Sequence, residues 1–229
     1  MGECFITRRG GGKPSGLYVW KKYEVAPTYL SFIGNEDFTL KTANTTKNWD
    51  GTLEYSTDTT TWNTWNGTEI SSSGSKLYLR GTGNTKITGD SFDYMFVFTG
   101  TDNLKIVCKG NIENLLDYET VSDGGHPTMA NYCYAYMFQN CTSLTTAPIL
   151  PATTLAYGCY QNMFGGCTKI KLSTTQTGEY QTVYRIPTSG TGTTATDALN
   201  NMFANTGGTF TGTPEINTTY YLSTSNTVV

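Results

Sequence analysis

A phrase running from Thr128 to Leu144 returns 26 residues later as Thr154 to Ile170. Eight slots are identical: Thr128/Thr154, Ala130/Ala156, Cys133/Cys159, Tyr134/Tyr160, Met137/Met163, Phe138/Phe164, Cys141/Cys167 and Thr142/Thr168. A fixed period of this size is the mark of a solenoid, in which one small unit stacks on the next and neighbours bury each other's apolar faces. A weaker third copy runs from Ala195 to Thr206. It keeps Met202 and Phe203 in register and places Ala198 and Thr206 where the cysteines stood. Met163 and Met202 are 39 residues apart, so 13 residues are inserted before this copy.

The spacing inside each copy predicts a short helix. Cys133, Met137 and Cys141 stand at i, i+4 and i+8, one stripe of a helix surface. Thr128 and Thr154 are placed to cap its first amides. Asn140, Gly166 and Asn205, three residues after each Met, tolerate the left-handed conformation that stops a helix. The Met-Phe pairs and the cysteines then read as core. The spacing of eight between cysteines is not that of a zinc knuckle, and the chain has 1 His. After each helix the chain should run extended, as in Leu144 to Pro151.

Upstream the pattern changes to period two. Leu30/Phe32, Phe38/Leu40, Leu53/Tyr55 and Leu77/Leu79 alternate between turn signals such as Gly34-Asn35, Asn66-Gly67, Ser73-Gly74 and Gly83-Asn84. Phe96 to Phe98 and Leu104 to Val107 supply two more strands. Short alternating strands with regular turns predict an antiparallel β-sandwich. Only 14% of the chain is charged, and Thr, Ser, Asn and Gly supply the polar surface, which suits strands and turns. Ile112, Leu115 and Leu116 have helical spacing and are expected to cap the repeats, and Tyr180 to Pro187 predicts an extra strand before a loop at Ser189 to Thr194. The expected fold is mainly β with short helices (α+β). Residues 1–22 are a Gly-rich head with a short apolar run at Leu17 to Trp20, residues 23–110 the sandwich and residues 111–229 the repeat unit. The repeats lie near 128–153, 154–192 and 193–217.

Tyr134 to Cys141, Thr142-Ser143-Leu144, Pro148, Leu150 to Ala156 and Cys159 to Thr168 resemble the leucine-rich-repeat variant of BspA-like surface proteins. Leu53 to Asp58 through Trp62, and Lys76 to Gly81, look like the immunoglobulin-like domain that often precedes such repeats in gut bacteria and their phages. The head, Phe5 to Gly12 with Tyr18 to Tyr23, is similar to the start of phage and prophage tail proteins. The resemblance implies surface exposure and adhesion or receptor binding. It carries no shared catalytic residues, and two full repeats with one degenerate copy make a shorter surface than longer members have.

No catalytic constellation emerges from the residues. GxSxG, P-loop and HExxH motifs are missing from the sequence. His126 reads as an exposed loop residue. Ser56 to Trp62 faintly echoes a sialidase Asp-box but lacks its glycine and reads as a hairpin turn. A net charge of -3 argues against a nucleic-acid partner, and no apolar run is long enough to span a bilayer. The candidates for ligand contact are aromatic: Trp49, Trp62 and Trp65 in a polar stretch, and Tyr132, Tyr136 and Tyr157 in the repeats. Trp62 and Trp65 have opposite parity, so on one strand one of them faces outward. Tyr132, Tyr134, Tyr136, Tyr157 and Tyr160 crowd too closely for all to be buried. The functional expectation is a non-enzymatic, tail-associated virion protein that recognises a host cell-surface glycan or protein. It would need neither cofactor nor metal, would contact other virion proteins through its head, and is compatible with a homo-oligomer. A bacterial cell-surface adhesin and a purely structural tail or capsid component are the alternatives.

Overall fold

A computed structural model describes residues 28–186 and 197–226. The head at 1–22, with Leu17 to Trp20, and the loop expected at Ser189 to Thr194 lie outside the described residues. Within them the chain is mainly β, with antiparallel sheets and one short α-helix.

Strands form at the six expected segments, and β4 and β5 are two that the alternation did not mark: β1 (Leu30–Gly34), β2 (Thr39–Thr42), β3 (Thr52–Ser56), β4 (Asn63–Trp65), β5 (Ile70–Ser71), β6 (Lys76–Thr82), β7 (Phe96–Thr99) and β8 (Ile106–Lys109). Helix α1 (Asn114–Ser122) follows, then β9 (Leu144–Thr146), β10 (Lys171–Ser173), β11 (Tyr180–Ile186), β12 (Gly207–Gly208) and β13 (Thr218–Ser223). One sheet runs β4-β3-β6-β1-β8-β9, a second β5-β2-β7, a third β11-β13-β10-β12. The first two sheets share a layer of side chains: Phe32 of β1 packs on Phe98 of β7 at 5.0 Å, and Trp65 of β4 on Phe96 of β7 at 5.3 Å. The Ser56 to Trp62 turn is held by Asp58, whose carboxylate accepts from the Thr60 and Thr61 amides and from Ser56 Oγ. These bonds hold that carboxyl well below the usual range. Ile112, Leu115 and Leu116 are buried as expected, but Asp117 inside α1 is extended (φ -155, ψ 99), so α1 is two short turns joined by a kink.

The repeats are not helices. Residues 131–141, 157–167 and 197–206 form three coils of successive β-turns, coils 1, 2 and 3. In coil 1 the amides of Ala135, Met137, Gln139 and Cys141 each donate to the carbonyl three residues earlier. The alternate amides, of Tyr132, Tyr134, Tyr136, Phe138 and Asn140, donate at 2.7–2.9 Å to carbonyls of coil 2. Coil 2 repeats this towards coil 3 through Tyr160, Asn162, Phe164 and Gly166. Each turn requires one left-handed residue, and these recur every fourth position: Tyr132, Tyr136, Asn140; Gly158, Asn162, Gly166; Asp197, Asn201, Asn205.

The period is therefore four. An α-helix would swing Cys133 and Cys141 about 80° apart, whereas a period of four keeps them on one line. Thr128 and Thr154 consequently cap no helix, and Asn140, Gly166 and Asn205 close a series of turns. The predicted inward stripe is correct for this different reason. Cys133, Met137, Cys141 and their counterparts in coil 2 are buried, and Phe138, Phe164 and Phe203 stack in a column at 5.6 and 5.3 Å. Tyr134 and Tyr160 stack beside them at 5.6 Å.

The amides of Ile87 and Phe96 donate to Cys133 and Met137 of coil 1, and Phe96 packs edge-on against Phe138 at 5.9 Å. One hydrophobic cluster thus runs from Leu30 to Leu222, across residue 110.

Candidate functional site

The left-handed edge of the coils carries an aromatic ridge. Its layers follow the stacking order: Asp90 and Phe92 precede coil 1, Tyr132 and Tyr136 belong to coil 1, Tyr157 and Gln161 to coil 2, and Asp197 opens coil 3. Phe92 is 55% exposed and packs on Tyr136 with ring centroids 4.3 Å apart. Gln161 Nε2 donates to Tyr136 Oη at 2.7 Å. Tyr157 is 43% exposed and meets Tyr132 edge-on at 5.3 Å. The Tyr132 hydroxyl is pushed above its ordinary value, first by its interaction with Tyr157 and then by partial desolvation and the negative charges of Asp90 and Asp197.

Two features set this edge apart. Left-handed backbone is comfortable for Gly and tolerable for Asn and Asp, but a bulky side chain there is an outlier costing about 1–2 kcal/mol. Coils 2 and 3 use only Gly, Asn and Asp at these positions, whereas coil 1 holds tyrosines at φ 57 (Tyr132) and φ 61 (Tyr136). Strain of this kind concentrates at functional sites. The second feature is rigidity: amides of both tyrosines are bonded to coil 2, so the rings project from a fixed ladder.

Of the six aromatic residues expected to contact a ligand, Tyr132, Tyr136 and Tyr157 come together on this ridge. Trp49 and Trp65 are corrections. They are 2% and 1% exposed and stack on each other at 5.1 Å inside the core, so neither ring is available. Strand β4 turns Trp65 inward, where its Nε1 donates to Thr68 O at 2.7 Å, and Trp49 stacks on that buried ring. Trp62 is partly exposed, but Arg80 lies over its ring at 4.1 Å and over Tyr118 at 4.5 Å while pairing with Glu54 at 2.8 Å. It belongs to a separate packing cluster with Tyr29.

The sequence reading missed Phe92, Asp90 and Asp197, whereas Gln161 is one of the variable repeat slots, between the conserved core positions, where function was expected. It also missed a pairing of His126, whose Nδ1 lies 2.8 Å from Glu113 Oε2. The Glu113 side chain is 1% exposed, its Oε1 has no hydrogen-bond partner among the described residues, and burial pushes its carboxyl above the ordinary value. Glu113 and His126 line a cleft of about 310 Å³ with Met129 and Leu155. Thr128, Thr153 and Thr154 also line it.

No protein-family model, curated protein or solved structure matches this chain. Among the described residues no helix is long and apolar enough to cross a membrane.

Proposed function

We propose that this chain is a non-enzymatic, tail-associated virion protein that recognises a host cell surface, and that the ridge of Phe92, Tyr132, Tyr136 and Tyr157 is its contact face. The observation that carries this reading is the placement of two tyrosines in left-handed backbone where the equivalent positions of the other coils hold Gly, Asn or Asp. Rigid, half-buried aromatic rings with polar tips are effective recognition groups because they present large area at small entropic loss. The acidic residues beside them, Asp90 and Asp197, favour neutral or basic epitopes over acidic ones. The resemblance to BspA-type repeats and to an immunoglobulin-like domain supports the surface role, and the head's likeness to tail proteins supports the virion.

The test is a binding assay of labelled protein on candidate host cells. Binding that saturates and falls at least about tenfold in a Phe92→Ala/Tyr136→Ala variant supports the reading. Equal binding by the folded variant removes the ridge from it.

A further inference from the structure

Among the described residues strand β7 is an edge, paired only with β2. The register sets Lys41 opposite Val97 and Thr39 opposite Thr99, and Ala43 N–H donates to Met95 O at 2.9 Å. The odd residues of β7 therefore bond to β2, and the even residues turn their N–H and C=O groups the other way. On that outer side lies coil 1. Phe96 N–H donates to Met137 O at 2.7 Å. Two residues further the ladder stops. Phe98 N–H has no partner among the described residues, nor does the facing carbonyl of Gln139. In coil 2 the equivalent carbonyl, that of Gly165, accepts Asn140 N–H at 2.7 Å. The interruption is thus a local departure from the pattern that joins the other layers.

Between the diverging walls opens a cleft of about 360 Å³, lined on one side by Phe96 to Asp102 and on the other by Gln139 to Ser143. Its inner wall is apolar, with Phe98 and the buried Leu104. Its rim is hydroxylic, with Thr101, Thr142 and Ser143, and carries one acid, Asp102, and one base, Lys169. Lys169 Nζ donates to Leu104 O at 3.0 Å and braces that wall. Gln139 Oε1, also at this wall, is buried without a hydrogen-bond partner among the described residues.

We propose that this cleft binds an extended peptide segment, which completes the interrupted ladder between β7 and coil 1. An open main-chain donor on one wall and an open main-chain acceptor on the other ask for an occupant carrying both, on opposite edges, at strand spacing. Successive residues of an extended peptide do this: one turns its C=O to Phe98 N–H, and the next turns its N–H to Gln139 C=O. The balanced rim favours no net charge, and the wall of Phe98 and Leu104 suits a small or β-branched apolar side chain. This site is independent of the aromatic ridge.

The test uses the full chain, labelled with 15N, and the blocked tripeptide acetyl-Thr-Val-Thr-amide as probe. The expected result is a saturable shift of the Phe98 amide resonance and slowing of its hydrogen exchange by about tenfold or more. Both should vanish in Thr142→Trp, which fills the mouth from an exposed position. Asp102→Trp, on the opposite rim, is a second filling variant should the first not fold. A peptide analogue with an ester in place of the central amide, lacking that N–H, should bind about tenfold more weakly. No movement of Phe98 at about 10 mM peptide, a concentration that reveals even millimolar affinity, overturns the proposal. So does a shift that persists in both filled variants. An equal shift with N-acetylglucosamine alone shows that the cleft reads a lone amide group, and it also sinks the extended-peptide assignment.

Discussion

The ring of Tyr132 occupies the space that a side chain on Gly158 would need: a β-carbon at Gly158 would lie 2.5 Å from two of its carbons. Gly158 is itself left-handed (φ 63), and Tyr132 N–H donates to Tyr157 O at 2.8 Å. The glycine of coil 2 thus seats the tyrosine of coil 1 in two ways, by backbone and by vacancy.

Gly158→Ala should therefore lower stability through two separable effects. The left-handed backbone accounts for about 1–2 kcal/mol, and the overlap with the Tyr132 ring brings the total to about 3 kcal/mol. In a Tyr132→Ala background only the backbone part should remain. Urea denaturation of the four proteins of this cycle measures the coupling, and additive effects would refute the seating argument.

Tyr136→Asn separates function from stability. Asn relieves the left-handed strain that Tyr bears at φ 61, while the ring contact with Phe92 and the bond from Gln161 are lost. These effects oppose each other, so unfolding free energy should change by less than about 1 kcal/mol. Cell binding should fall at least tenfold, as expected where strain is retained for function. A variant with full binding would identify Tyr136 as structural.

Much of the fold was legible. Period-two alternation located β1, β2, β3, β6 and β7 because one side of each strand is buried. The coils were misread because a run of eight residues scarcely separates a period of four from one of 3.6. The discriminating signal lay elsewhere, in the fourfold recurrence of Gly158, Asn162, Gly166 and of Asp197, Asn201, Asn205. Only the last member of each set was read as a turn signal, and there as a helix stop. The ridge was half legible: Tyr132, Tyr136 and Tyr157 share a repeat, but Phe92 and Asp197 join them only through stacking of distant segments. Trp49 and Trp65 show the opposite failure, since a tryptophan in a polar stretch looks the same whether or not a second sheet covers it.

The Glu113-His126 pair makes a pH prediction. Burial raises the folded carboxyl above its ordinary value of 4.5, with the His126 contact opposing the shift. A raised carboxyl stabilises the fold relative to its ionised form below the unfolded value, and that contribution is lost as pH rises through the folded value. Glu113→Gln removes the buried charge, so its stability relative to the parent chain should improve steadily from pH 4 to pH 8. His126→Ala leaves the carboxylate without its partner and should be more destabilising at pH 8 than at pH 4. Parallel profiles for all three proteins would show that burial does not shift the Glu113 carboxyl.

Five of the six thiols should be silent in the native protein. Cys108, Cys133, Cys141, Cys159 and Cys167 are free and buried, and desolvation pushes every one of them up, Cys159 to about 12. The thiolate is the reactive species, so at pH 8 a water-soluble disulfide reagent has neither access nor nucleophile. These five thiols should react only at the rate of unfolding, and all together, since four lie in the hydrogen-bonded coils and Cys108 lies on β8, which pairs with β9 just beyond coil 1. Selective modification of Cys141 or Cys167 without loss of structure would show that the end of the coils opens independently of their centre. Cooperative release under mild urea would instead establish the coils and the strands beneath them as one unit.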